Sequence, residues 1–168
     1  TLDLSGNQLT GQLPSNIDLN MHLVEVKLNN NNFSGTLPSG LFSTTKLETL
    51  DLSYNSITNL KGDDNIYPFD ELIQDEMSQG GYYASFKTLK LNNNNFQGAV
   101  PEKFDQMVNL QTLDLSSNNF SGKIPLSWSA FNYLQTIDLA SNRIGGVVPP
   151  ALIANNDYLT KIHFQNNR

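Results

Sequence analysis

The sequence predicts a solenoid, in which one short unit is stacked repeatedly along an axis and the units share a single apolar column. Three observations lead there. The pattern apolar-x-apolar-x-x-Asn recurs at Leu2-Asp3-Leu4, Val26-Lys27-Leu28, Leu50-Asp51-Leu52, Leu89-Lys90-Leu91, Leu113-Asp114-Leu115, Ile137-Asp138-Leu139 and Ile162-His163-Phe164. It is closed by Asn7, Asn31, Asn55, Asn94, Asn118, Asn142 and Asn167, spaced 24, 24, 39, 24, 24 and 25 residues apart, so one unit carries about 15 extra residues. Glycine and proline return in the same register, four and seven residues after most of these asparagines.

Each element of the unit has a physical reason. Two apolar residues one apart form the inward side of a short strand, and the residues between them face water. Further apolar positions keep the register: Leu9, Phe33, Ile57, Phe96, Phe120 and Ile144 two residues after the asparagine, then Leu13, Leu37, Val100, Ile124 and Val148. Ile17, Leu41, Phe104, Trp128 and Leu152 complete the set. No single unit can bury all of these, so neighbours must stack. The asparagine stands where the chain turns inward, and its amide can satisfy backbone groups left without ladder partners. Seven such residues read as a structural ladder. Gly11, Gly35, Gly98, Gly122 and Gly146 are expected at tight bends of positive φ. Pro14, Pro38, Pro101, Pro125 and Pro149 favour an extended or turn segment on the outer side over a long helix.

The stretch Leu110-Gln111-Thr112-Leu113-Asp114-Leu115-Ser116-Ser117-Asn118-Asn119-Phe120-Ser121-Gly122-Lys123-Ile124-Pro125 closely resembles the plant-specific leucine-rich repeat. The resemblance runs along nearly the whole chain, residues 1–168, and is carried by five Gly/Pro matches in register. It implies an α/β solenoid: a curved, right-handed array of about seven strands, with a parallel sheet on the concave side and irregular, 3-10 or polyproline structure on the convex side. It also implies kinship with the ectodomains of plant receptor-like kinases and receptor-like proteins, and with polygalacturonase-inhibiting proteins. The sequence opens inside a strand pattern and closes at Asn167-Arg168, so further repeats are expected at both ends. The absence of cysteine is neutral about compartment, because cysteines in this family lie in the terminal caps.

The concave face is the first candidate surface. Its central column reads Asp3, Lys27, Asp51, Lys90, Asp114, Asp138 and His163, and the alternating signs of the first four predict pairing across adjacent strands. The next columns are small and polar, with Tyr54 the one aromatic. Lys27, Asn29, Asp51, Tyr54, Lys90, Asn92 and Asp114 are the expected ligand contacts, for a protein, peptide or glycan.

The long unit is the second candidate. An insertion at about residues 60–83 holds Asp63, Asp64, Asp70, Glu71, Asp75 and Glu76 against Lys61, a net −5 of the chain's −6. Phe69, Leu72, Ile73 and Met77 have helical spacing between Pro68 and Gly80-Gly81, which predicts a short helix. Asp63, Asp64, Tyr67, Asp70, Glu71, Tyr82 and Tyr83 are its expected contacts. Asp63-Asp64-Asn65 lacks the spacing of a calcium loop, so no metal and no cofactor is expected.

Two sequons, Asn32-Phe33-Ser34 and Asn119-Phe120-Ser121, would accept N-glycans at Asn32 and Asn119 in a secreted protein. A sequence pI near 4.7 offers no footprint for nucleic acid, and no segment is long and apolar enough to span a bilayer. No phosphate loop, Cys/His cluster or nucleophile elbow marks an enzyme. Asp138 and His163 are expected to touch as a surface pair. The reading is a non-catalytic recognition segment of an extracellular or cell-surface protein. Its alternatives are a structural component of a matrix or complex, and a secreted inhibitor of a wall-degrading enzyme.

Overall fold

The computed structural model describes residues 1–14, 22–42, 46–60 and 85–168. In chain order the strands are β1 (Leu2–Asp3), β2 (Thr10–Gln12), β3 (Glu25–Lys27), β4 (Asn32–Thr36), β5 (Thr49–Asp51), β6 (Ser56–Asn59) and β7 (Thr88–Lys90). They continue as β8 (Gln97–Ala99), β9 (Thr112–Asp114), β10 (Asn119–Lys123), β11 (Thr136–Asp138), β12 (Arg143–Gly145) and β13 (Lys161–His163). The odd-numbered strands form one parallel sheet in the order β1-β3-β5-β7-β9-β11-β13, the concave face of an α/β solenoid. Equivalent residues pair throughout, Leu50 with Leu89 and Leu89 with Leu113. Every step from one strand to the next is therefore one whole repeat.

The alternating apolar residues do what their period requires. Val26, Leu28, Leu50, Leu52, Leu89, Leu91, Leu113, Leu115, Ile137 and Leu139 are all buried beneath this sheet. A second file of larger residues backs them, with Phe96 and Phe120 stacked at 5.9 Å. On the convex side Pro101 and Pro125 hold extended conformations, with φ of −65° and −61°, and each leads into a 3-10 turn, Glu102–Gln106 and Leu126–Ala130. A similar turn spans Ser39–Phe42, and the short helix α1 (Pro150–Ala154) takes the same place in the sixth unit. The Trp128 ring packs at 6.1 Å from Phe104 and donates its indole N–H to the carbonyl of Pro101 at 3.0 Å. Its polar edge is thus satisfied within the core.

The flank between the two sides differs from the sequence expectation. The glycines placed at bends do have positive φ, between 81° and 90°, but Gly11, Gly35, Gly98 and Gly122 lie inside β2, β4, β8 and β10. These short strands form two further parallel sheets, β2-β4-β6 and β8-β10-β12. At Gly35 a side chain would also meet the Gln12 side chain at 2.6 Å. The long unit divides the flank: β6 and β8 belong to different sheets, and the register slips beside Gly35/Thr36, where Asn59 replaces the expected glycine. The concave sheet runs unbroken past the same point, with Asp51 opposite Lys90 and Phe42 packed at 5.9 Å from Phe86. The helix expected over residues 69–77, and Asp63, Asp64, Tyr67, Asp70, Glu71, Tyr82 and Tyr83, lie outside the described residues.

The asparagine ladder joins consecutive repeats. Asn94 Nδ2 donates to the carbonyls of Leu91 in its own repeat, at 3.2 Å, and Leu52 in the preceding one, at 2.9 Å. Its Oδ1 accepts the N–H of Ile57 at 3.0 Å. Asn118 and Asn142 repeat the arrangement, and Asn31, Asn55 and Asn167 make the same connections. Asn7 donates only to its own repeat, to Leu4 and Ser5. Replacing Asn94 with alanine strands the Ile57 N–H and these carbonyls in the interior. Asn94→Ala is expected to cost about 2–5 kcal/mol in urea unfolding of the full-length protein, whereas Asn95→Ala, at an exposed position, should stay within about 0.5 kcal/mol.

Candidate recognition face

Along each concave strand the residue between the two buried apolar positions projects outward. The local chemistry decides what remains free to bind. Asp3, Asp51 and Asp114 each turn Oδ1 onto the residue two further along, accepting the N–H of Ser5, Ser53 and Ser116 at 3.0 Å and their hydroxyls at 2.6–2.7 Å. Asp138 accepts the N–H of Ala140 at 2.9 Å. These carboxylates close the strand ends. One oxygen of each is committed to the fold, and the second oxygen of Asp51 and of Asp138 faces Lys90 and His163 in the adjacent strand.

The expected alternating charge ladder is corrected in part. Lys27 pairs with Glu25 of its own strand at 2.7 Å, because two residues along a strand return to the same face. Glu25 raises the Lys27 amine above its usual range, and Lys27 lowers the Glu25 carboxyl in turn. The Ser5 hydroxyl, then its N–H, lower Asp3. Across strands, Lys90 stands 3.9 Å from Asp51 Oδ2, a loose contact with the lysine well exposed. His163 Nδ1 lies 2.9 Å from Asp138 Oδ2, the surface pair anticipated from their shared column. Asp114 lies between Lys90 and Asp138, and burial pushes its carboxyl above the usual range while the Ser116 bonds act the other way.

The amide columns also differ from expectation. Asn29 is half-buried, while Asn92 is only 8% exposed, so it forms part of the floor and is not an open contact. Its Oδ1 accepts no hydrogen bond from the protein. The next position in every repeat holds a left-handed backbone: Gly6, Asn30, Tyr54, Asn93, Ser117, Ser141 and Asn166 have φ between 53° and 67°. This single residue ends the strand and swings the ladder asparagine inward. Tyr54 is 54% exposed there.

Leucine-rich-repeat family models match residues 1–19, 22–43, 44–60 and 84–144. The chain belongs to the leucine-rich-repeat family. Among curated proteins it is 34% identical over 110 residues to receptor-like protein 31 of Arabidopsis thaliana, covering 66% of this chain and 11% of that protein. Among solved structures, the array resembles the plant peptide hormone receptor RGFR1 in complex with RGF2, at 30% identity and a TM-score of 0.84, covering 99% of this chain and 24% of that one. A TDR receptor gives 30% identity and a TM-score of 0.85, covering 99% and 26%. The Arabidopsis receptor kinase HAESA, in complex with the peptide hormone IDA and the co-receptor SERK1, gives 31% and 0.75, covering 94% and 24%. This leucine-rich-repeat chain thus spans about a tenth of the curated relative and about a quarter of each receptor chain.

A groove that the sequence reading did not single out lies where the concave strands begin. It encloses about 390 Å³ and is lined by Glu48, Ser85, Lys87, Asn109, Gln111 and Tyr133, with Glu48 and Lys87 paired at 2.8 Å. The signal was present, since these residues hold equivalent places just before successive strands. The sequons stand on the flank: Asn32 opens β4 and is exposed, and Asn119 opens β10 and is half-buried. Among the described residues no helix is long and apolar enough to cross a membrane.

Asp114 sets a pH signature. Its native carboxyl holds a proton to higher pH than the ordinary value of 3.8, so the native state binds more protons than the unfolded chain just above that value. The favourable contribution present at low pH is therefore lost as pH rises through the native pKa. Asp114→Asn, which keeps an acceptor for Ser116, is expected to raise the thermal midpoint at pH 7 relative to the unsubstituted protein. That advantage should shrink toward pH 3, as thermal unfolding across the range will show.

Proposed function

We propose that this array is a non-catalytic recognition segment of an extracellular, receptor-like leucine-rich-repeat protein, and that its concave face takes a peptide or protein partner. The observation that carries the proposal is the division of labour within each repeat. The apolar column and the buried asparagines hold the fold, while Asn29, Asp51, Tyr54, Lys90 and Asp114 present charge, amide and ring to the surface. Such a face can match the polar backbone and mixed side chains of a peptide, with complementary charge setting specificity and encounter rate. The peptide hormone complexes among the structural relatives support the same reading.

In this proposal Lys27 acts mainly with Glu25 as a local ion pair at the margin, and Lys90 and Asp51 lie nearer the centre. The acidic insertion at residues 60–83 joins β6 to the strand carrying Lys90, so Asp63, Asp64, Tyr67, Asp70, Glu71, Tyr82 and Tyr83 would supply a second set of contacts. Glycans on Asn32 and Asn119 would keep partners off the flank sheets and direct them to the concave side.

The test is capture of partners from native extracellular fluid by the full-length protein, read by mass spectrometry. The doubly substituted Asp51→Ala, Lys90→Ala protein is compared with a form whose residues 60–80 are replaced by a regular repeat turn. Peptide or protein partners should fall at least about tenfold on the first, a change worth about 1.4 kcal/mol. Equal capture by all three proteins would sink the concave-face reading. Secretion also predicts N-glycans on Asn32 and Asn119: Asn32→Gln and Asn119→Gln should each remove one deglycosylation-sensitive mass step from the secreted protein.

A further inference from the structure

Tyr54 combines a constrained backbone with an unsupported ring. It stands third in the column of left-handed residues, with φ of 56°, where the other occupants are glycine, asparagine and serine. Glycine adopts this conformation freely and asparagine tolerates it, whereas a bulky side chain meets its own backbone. Other described rings are compensated by burial, as for Phe96, Phe120 and Trp128, or by a neighbour, as in the Tyr133–Tyr158 pair at 5.9 Å. Among the described residues Tyr54 has neither: it is 54% exposed and has no ring partner. Strain retained without packing in return points to a use outside the fold.

Its surroundings indicate what that use is. The Tyr54 N–H donates to the carbonyl of Asn92 at 3.0 Å, and its own carbonyl accepts the N–H of Asn31 at 3.2 Å. The exposed Tyr54 thus stands in one column between the Asn30 and Asn93 positions, with buried Asn92, whose side-chain oxygen is unpartnered, in the adjoining row. Asp51 and the half-buried Lys90, loosely joined at 3.9 Å, mark one edge. An aromatic face offers stacking, and flanking amides offer both donors and acceptors.

We infer that Tyr54 is a specificity-determining contact for an extended peptide, one that lays a proline or aromatic side chain on the Tyr54 ring and directs its backbone amides to Asn30 and Asn93. This rests on the recognition reading of the concave face. A neutral sugar would use the ring equally well but would leave Asp51 and Lys90 without a counterpart. A peptide carrying both charge signs satisfies them, so the ligand class is peptide.

The inference is tested with a display library of random 12-residue peptides, selected on the full-length protein and measured against the substituted forms Tyr54→Asn and Tyr54→Phe. Enriched peptides should carry proline or an aromatic residue, bind Tyr54→Asn at least about tenfold more weakly, and bind Tyr54→Phe nearly as well as the unsubstituted protein. The thermal midpoint of Tyr54→Asn should be unchanged or higher, because asparagine suits the left-handed position better. Peptides that lose affinity on Asp51→Ala, Lys90→Ala but not on Tyr54→Asn would overturn this inference and leave the recognition reading standing. A fall in the midpoint of Tyr54→Asn would make Tyr54 structural and overturn it as well. Binding of neutral glucan fragments with no enriched peptide would overturn both the ligand class and the peptide reading of the face.

Discussion

A parallel sheet made of strands two or three residues long has few internal bonds per strand, and each strand must end by turning its backbone toward the core. The side-chain amide of one asparagine per repeat resolves that difficulty. Nδ2 of Asn118 reaches Leu115 and, one repeat back, Leu91, while its Oδ1 takes the N–H of Phe96. Three backbone groups that face the interior are thereby joined across two repeats. An aspartate lacks the donor and a serine lacks the reach, so neither can make all three bonds. Register along the sheet, burial of the leucines and spacing of the outer turns all follow from that connection.

With the interior satisfied in this way, the outer surface carries little responsibility for stability. The concave charges are exposed or partly exposed, and contacts such as Lys90 with Asp51 at 3.9 Å contribute little to the fold in water. The convex side follows a different logic. It fills its volume with large rings, Trp128 packing against both Phe104 and Phe131, and uses proline to set the chain direction before the turns that follow Pro101 and Pro125. Repeats can therefore vary on the concave surface without altering the column that holds them.

What could be read from the sequence was whatever each residue must satisfy by itself. Alternating leucines announce a buried strand, and glycine recurring at one place announces a left-handed backbone, observed here at φ between 81° and 90°. The flank sheets were hidden because their bonds run between backbones of neighbouring repeats, and the expectation of a bend at Gly98 or Gly122 took the local requirement without the partner strand. Lys27 was matched to carboxylates in adjacent strands, yet Glu25 lies on the same face of its own strand and is reached with less reorganisation. Asn92 was placed on the open surface by its column, although the neighbouring strands bury it. The repeated Asp-x-Ser at Asp3, Asp51 and Asp114 was visible in the sequence, and its meaning as a strand-ending hydrogen bond needed the geometry.

The left-handed column explains how such an array can acquire a specific surface without losing its fold. The residue before each ladder asparagine must adopt positive φ whatever its identity, because that turn delivers the amide to the interior. The same turn points its side chain away from the core, so identity there is penalised by local conformation and hardly at all by packing. Glycine, serine and asparagine occupy the low-cost choices at Gly6, Ser117, Ser141, Asn30, Asn93 and Asn166. Tyrosine at position 54 is the departure, and it follows β5, the last concave strand before the insertion, where the flank sheet is also divided. The concave sheet remains continuous there because Asn94 still reaches Leu52 across the long unit. Variation in both surface and loop is thus admitted at the one step of the array where the flank sheet is divided, and there the ladder, the concave strand pairing and the Phe42–Phe86 contact preserve the stack.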